Sequence, residues 1–326
     1  MLFILMKSRN LPSLTSTALR YLCIAPLLFL GGVAFGISST LLPLTSQSSH
    51  SAAKSAASPG SRTIIISARN GDGSPAEISA SDLKIKLDGK EASVTSARRV
   101  AGIPVFYWLL VDTSSSERPF LPQEREEAAL LLSQIIQPSR DYGNLVGFDQ
   151  RAYLDAEGSD PQALLKAMAG ESARGSSSLF DAVFSCADRV VDLRKDIRIM
   201  FIFSDGSDNS SRVTRDDALR VLLREKIHVY AIGHPQATSQ GLWPSSKGSD
   251  NLKSFAETTG GNAYFPKKDS DFQKALADIS GDLQGLFLVT FTPGPLKSPG
   301  PLHKFEINCK KHGVVVSAPR QYFLPN

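Results

Sequence analysis

Cysteine is scarce in this chain: three in 326 residues, with no CxxC pair. That excludes a disulfide-stapled scaffold and a zinc ribbon. A surplus of one charge is also missing. The sequence carries 36 Lys and Arg against 32 Asp and Glu, a formal net charge of +4. Lys7, Arg9 and Arg20 precede Leu44 in a stretch without an acid, and beyond it the balance is 33 to 32. The composition therefore offers no basic groove and argues against a nucleic-acid partner. His50, His228, His234, His303 and His312 show no zinc spacing. Beyond residue 44 the chain lacks the GxSxG elbow of serine hydrolases, and both phosphate-binding glycine motifs, GxxxxGK[ST] and GxGxxG, are absent. What remains is ordinary globular composition, 42% hydrophobic and 21% charged, with room for a sizeable core.

Residues 21–42 read YLCIAPLLFLGGVAFGISSTLL, an uncharged run preceded by basic residues. About 20 apolar residues suffice to cross a bilayer, and flanking positive charge keeps the N-terminus in the cytoplasm. Two readings follow for residues 1–44: a signal peptide cut near Ala34-Phe35-Gly36, or an uncleaved membrane anchor, which the long basic lead favours. Either way the remainder is exported, held on the far side of the membrane or released from the cell. Residues 45–62 are Ser/Ala-rich without apolar periodicity and read as a flexible spacer.

Residues 63–103 read as a small β module. Leu83, Ile85 and Leu87 alternate with Lys84 and Lys86, and Asp88-Gly89 is a two-residue hairpin signal. From Pro104 to Gly285 strands and helices alternate. VFYWLLV (105–111) and IRIMFIF (197–203) are continuous apolar runs, as expected of strands buried on both faces. Helices are expected over 124–136, from Asp160-Pro161, from Leu179, from the Thr214/Asp217 capping pair, over 251–259 and over 271–283. This alternation predicts an α/β fold: a Rossmann-like, doubly wound, mostly parallel sheet with helices on both faces. Residues 286–326 return to β, as strands that either extend that sheet or join the N-terminal module. The fold class is thus an α/β domain flanked by small β modules at both ends. Cys186 falls on a helix and Cys309 on a strand; they are either free buried thiols or one bridge.

Three polar loops sit where strands end or a helix begins. Asp112-Thr113-Ser114-Ser115-Ser116 follows the first apolar strand. Gly175-Ser176-Ser177-Ser178 opens the helix at Leu179. Ser204-Asp205-Gly206 follows the second apolar strand. In such a sheet the loops after neighbouring strands meet at one end. Carboxylates and hydroxyls without histidine or thiolate suit Mg²⁺, Mn²⁺ or Ca²⁺ rather than zinc or copper. Two formal charges leave a divalent ion under-neutralised, so the site would attract another carboxylate, one that a partner protein can supply.

These loops resemble the metal-ion-dependent adhesion site of von Willebrand factor type A domains. The wider chain resembles an exported VWFA-related family typical of acidobacteria, through Asp82-Leu83…Asp88-Gly89-Lys90 and through Val289-Thr290-Phe291-Thr292-Pro293…His303-Lys304-Phe305. The resemblance implies a divalent cation, Mg²⁺ first, held directly or through water by Asp112, Ser114, Ser116, a second-loop hydroxyl and Asp205. Threonine is usual in the second loop; here alignment gives Ser177, with Ser176 and Ser178 adjacent. It implies a non-enzymatic module completed by an acidic residue of a partner. The alternatives are a structural metal with recognition elsewhere, and an aspartate-dependent phosphatase. The phosphatase would want a second acid where Ser114 stands. Trp243, in the loop after the strand 228–232, is a candidate recognition anchor, and His228 reads as structural.

Overall fold

β-Branched and aromatic runs become strands here, and their alternation divides them between cores. The computed structural model describes residues 60–100, 102–189, 197–234, 236–238, 241–243, 246–296 and 300–324. The leader or anchor, and the spacer up to residue 59, lie outside the described residues. Among the described residues no helix is long and apolar enough to cross a membrane.

The chain first forms β1 (Arg62–Asn70), β2 (Leu83–Leu87), β3 (Lys90–Arg99) and β4 (Val105–Asp112). It continues through α1 (Leu121–Ile135), β5 (Tyr142–Phe148), β6 (Ala152–Gly158), α2 (Pro161–Met168), α3 (Leu179–Asp188) and β7 (Ile197–Phe203). Next come α4 (Arg215–Arg224), β8 (Ile227–Ile232), β9 (Gln236–Thr238), β10 (Gly241–Trp243), α5 (Ser246–Thr259) and β11 (Ala263–Tyr264). It closes with α6 (Asp269–Gln284), β12 (Leu286–Thr292), β13 (Leu302–Cys309), β14 (Val314–Ser317) and β15 (Gln321–Phe323).

The site-bearing sheet has six strands in the order β11-β8-β7-β4-β5-β6. Its first five strands run parallel, and β6 is antiparallel to β5. Side chains alternate along β4 because the strand period is two. Tyr107, Leu109 and Val111 enter one core with Leu131 of α1, Leu164 of α2 and Leu276 of α6. Phe106, Trp108 and Leu110 enter the other with Val183 of α3, Leu222 of α4 and Phe255 of α5. Both faces of β4 are therefore dry, which is why its sequence is an unbroken apolar run. Trp108 is core.

The helix caps follow the sequence signals. Asp160 Oδ1 accepts the Gln162 amide at 2.9 Å, with Pro161 in the first turn of α2. Thr214 and Asp217 cap α4 reciprocally. At the β2–β3 turn both residues take positive φ, +48° at Asp88 and +75° at Gly89. Cys186 and Cys309 are both free thiols. Burial pushes the Cys186 thiol up to about 12, so it is inert.

The expected architecture holds as a mixed α/β fold and needs two corrections. The parallel sheet has an antiparallel edge, β6, which pairs back onto β5 across a tight turn. The closing strands join the N-terminal module, one of the two arrangements expected of them, so the two ends form a single module and not one at each end of the domain. They pair with each other in one larger, curled antiparallel sheet of seven strands, ordered β14-β1-β12-β3-β2-β13-β15. The reason is apolar complementarity: Ile64, Ile66, Phe287, Val289, Phe291 and Phe305 share one core. Ile65, on the other face of β1, joins the core under α6 and so ties this sheet to the α/β layers.

Candidate metal centre

Strand β4 runs between β5 and β7 and delivers Asp112, with no solvent exposure, to the end of the sheet. The loop beyond it is anchored at once. Thr113 donates both its amide (2.7 Å) and its hydroxyl (3.1 Å) to Phe148 O at the end of β5. The Ser114 amide donates to Asp112 Oδ1 at 2.9 Å, and the Ser114 and Ser116 hydroxyls lie 3.1 Å apart. Ser114 is buried, whereas Ser116 sits exposed at the rim.

The second loop is stitched to the first by Ser115 N to Gly175 O (3.0 Å) and Arg174 N to Thr113 O (2.7 Å). Of the three consecutive second-loop hydroxyls, Ser177 is the one that donates to Asp112, reaching Oδ2 at 3.1 Å. Ser178 instead gives its hydroxyl proton to Asp149 O at 2.7 Å. From the third loop, Ser204 donates to the same Asp112 Oδ2 at 2.7 Å. Asp205 is 3% exposed, and its Oδ1 accepts the Ser207 amide at 2.7 Å. The structure thus gathers Asp112, Ser114, Ser177 and Asp205 at one point, with Ser116 at the edge.

Three contributors escaped the sequence reading. Glu117 ends a single 3₁₀ turn after Ser114 and is fully buried. Its Oε1 accepts the Asp205 amide at 2.5 Å. One carboxylate oxygen from each of Asp112, Glu117 and Asp205 lies within 4.8 Å of the other two. The expectation of a site with only two formal charges is therefore corrected: it has three. An acid in a polar loop looks solvated in sequence, and only the tight turn folds it inward. Ser204, part of the quoted motif, holds Asp112 from behind. Asn209 Oδ1 accepts the Ser177 amide at 3.0 Å, and the Asn209 and Ser210 amides return to Ser177 O, both at 3.1 Å.

The 205–216 loop is held to the start of α3 by its own polar side chains. Asp208 Oδ2 accepts the Phe180 amide at 2.8 Å, at the start of α3. Asp181 Oδ1 accepts the Arg212 and Val213 amides at 2.9 and 3.0 Å. This clasp holds the helix start that carries Ser177.

Electrostatically the site is starved of positive charge. Burial first, then neighbouring carboxylates, pushes Asp112 and Glu117 well above the usual carboxylate range. Glu124, one step further along α1, is raised for the same reasons. Among the described residues no lysine or arginine pairs with Asp112, Glu117 or Glu124. Three buried oxygen-donor acids fit a hard divalent cation.

No protein-family model matches the chain, and no curated protein is detectably similar to it. Solved structures are. They include the von Willebrand factor type A protein of Catenulispora acidiphila: 10% identity, TM-score 0.45, covering 82% of this chain and 75% of that one. BatB of Bacteroides thetaiotaomicron is 13% identical at TM-score 0.44, covering 54% and 97% respectively. Proximal thread matrix protein 1 of the mussel byssus, in a form with a zinc-occupied MIDAS motif, is 15% identical at TM-score 0.45, covering 59% and 49%.

His228 stands apart from the site, as expected of a structural residue. His228 is buried in β8, and burial pushes it down to about 4, so it is neutral at physiological pH. Trp243 belongs to β10, but its side chain lies outside the described residues, as does most of its loop.

Proposed function

We propose that this chain is an exported, non-enzymatic module of von Willebrand factor A type that binds a protein partner through a divalent cation. Asp112, Ser114, Ser116, Ser177 and Asp205 would hold the ion, directly or through water, and an acidic residue of the partner would contact it. The observation that carries this reading is the buried Asp112 carboxylate. It is oriented by hydroxyls of the second and third loops, and among the described residues no cationic side chain pairs with it. Burying a carboxylate without a counter-charge costs several kcal/mol per ion. Evolution of such a pocket makes physical sense when a cation fills it.

The test is thermal unfolding of wild type and Asp112→Ala with added Mg²⁺, Mn²⁺, Ca²⁺ or Zn²⁺. A cation at 100 times its dissociation constant stabilises by about 2.7 kcal/mol, several degrees for a domain of this size. The expected result is a rise in wild type only. Equal behaviour of the two proteins would overturn the reading. With the ion established, capture of carboxylate-bearing partners that Asp112→Ala fails to hold tests the second half.

A further inference from the structure

Glu117 occupies a place that the two-aspartate description leaves open. It is fully buried, and its Oε2 finds no hydrogen-bond donor. Behind it stands more negative charge. Glu124 is fully buried and its carboxyl lies against that of Glu117, close enough for a hydrogen bond between the two acids. The cationic candidate on that side is His234, whose Nε2 lies 3.1 Å from Glu127 Oε2 and 3.9 Å from Glu124 Oε1. Glu117 is therefore held between two carboxylates on one side and Glu124 on the other. A cation on the Asp112 side would balance it. The spacing suits one. Ligands about 2.1 Å from a Mg²⁺ sit at most about 4.2 Å apart, and those about 2.4 Å from a Ca²⁺ at most about 4.8 Å. The three carboxylate oxygens already lie within 4.8 Å of one another.

We propose that Glu117 is the chain's own acidic ligand for this ion, taking the coordination position that a partner's carboxylate would otherwise fill. The proposal rests on the metal-binding reading above. Its consequence is regulatory. With Asp112, Asp205 and Glu117 in place a divalent ion is already over-neutralised, and an incoming carboxylate competes with Glu117 instead of filling a vacancy. Freeing the ion for a partner means swinging Glu117 out, and the short 3₁₀ turn over Ser115–Glu117 is the segment that would move.

The experiment is a Mn²⁺ titration of the full-length chain in detergent, followed by calorimetry and by Mn²⁺ paramagnetic resonance. Wild type, Glu117→Gln, Glu117→Ala and Asp112→Ala are compared, with and without acetate. Loss of a residue that merely orients a ligand weakens metal binding about 10- to 100-fold. E117Q should lose at least that much. E117A should recover affinity when acetate is added, whereas acetate leaves wild type unchanged. E117Q binding as tightly as wild type, with D112A still deficient, would overturn the assignment of Glu117 and leave the metal site standing. Absence of binding by wild type itself would overturn the underlying reading. Folding is checked under chelator, where E117Q, which matches the shape of a protonated Glu117, should be as heat-stable as wild type.

Discussion

Ser204 donates its hydroxyl proton to Asp112 Oδ2 at 2.7 Å while its oxygen accepts the Gly206 amide at 2.9 Å. One side chain thus orients the central carboxylate and shapes the loop that carries Asp205. Ser204→Ala removes both contacts without adding bulk. A hydrogen bond to a charged group contributes roughly 1.5–3 kcal/mol, so the folded chain should lose about that much. Ion affinity should fall about 10- to 100-fold, as for other residues that orient a metal ligand. Calorimetric titration with Mn²⁺ reads the second effect. An unchanged affinity beside a lowered melting temperature would assign Ser204 to loop architecture alone.

Crowded carboxylates make the metal-free chain favour acid over base. Burial, then Asp112 and Asp205, pushes Glu117 from 4.5 to about 9, and burial carries Asp112 from 3.8 to about 6. The folded state retains protons that the unfolded chain has released. The associated stability is fully present below about pH 4 and is lost as pH rises towards about 9. A divalent cation replaces those protons, so its binding releases protons and tightens with pH. Under chelator, the melting temperature should fall between about pH 5 and about pH 9, and saturating cation should flatten that fall. A chelated chain that gains stability over the same interval would contradict the charge arrangement described here.

The sequence carried those parts of the fold that are written locally. Buried strands appear as unbroken apolar runs at β4 and β7, caps appear at Asp160 and Thr214, and a hairpin appears at Asp88-Gly89. Strand β6 was missed because Ala152–Gly158 is a half-exposed edge whose Asp155 and Glu157 break the apolar signal. The sequence left open whether the closing strands extend the parallel sheet or join the N-terminal module, because those pairings are non-local: Ile64 sits opposite Val289, at the other end of the chain. At the site, polar loops placed after apolar strands and before a helix brought the three loops forward, and the resemblance to von Willebrand factor type A domains pointed within them to Asp112, Ser114, Ser116, Ser177 and Asp205. Glu117 gave no signal, because its inward turn depends on packing against the Asp205 amide from a loop far away in sequence.

Gly206 completes the third loop, and its backbone leaves no room for a side chain. Its φ is +76°, and a Cβ there would lie 2.1 Å from Gly248 O. The left-handed conformation alone costs roughly 1–2 kcal/mol for an L-residue. The carbonyl clash adds to that, because the neighbour is backbone and cannot rotate away. Gly206→Ala should therefore destabilise the chain by more than about 2 kcal/mol and loosen Asn251, whose Nδ2 donates to Gly206 O at 3.0 Å. Denaturant unfolding checks this. A variant as stable as wild type would mean that the Gly248 segment yields, and that the approach of α5 to the site is not tight.

The two sheets are joined by Arg69 of β1, which reaches Asp278 and Asp282 of α6 at 2.8 and 2.7 Å. Asp282 has no solvent exposure, and its Oδ1 also accepts the Ser67 hydroxyl at 2.8 Å. Removing the arginine would strand a buried charge. Breaking a buried pair from one side typically costs about 3–5 kcal/mol, far more than a surface ion pair contributes. Arg69→Ala should lose close to that amount, since the arginine is itself only 15% exposed. The double substitution Arg69→Ala with Asp282→Asn should recover much of the loss, because the stranded charge is then gone. Denaturant unfolding of the four proteins in the cycle measures the coupling. Strict additivity would mean that Asp282 is held by Ser67 and Asn262 without help from Arg69, and that the sheets are joined by the apolar contacts of Ile65, Leu286 and their neighbours beneath α6.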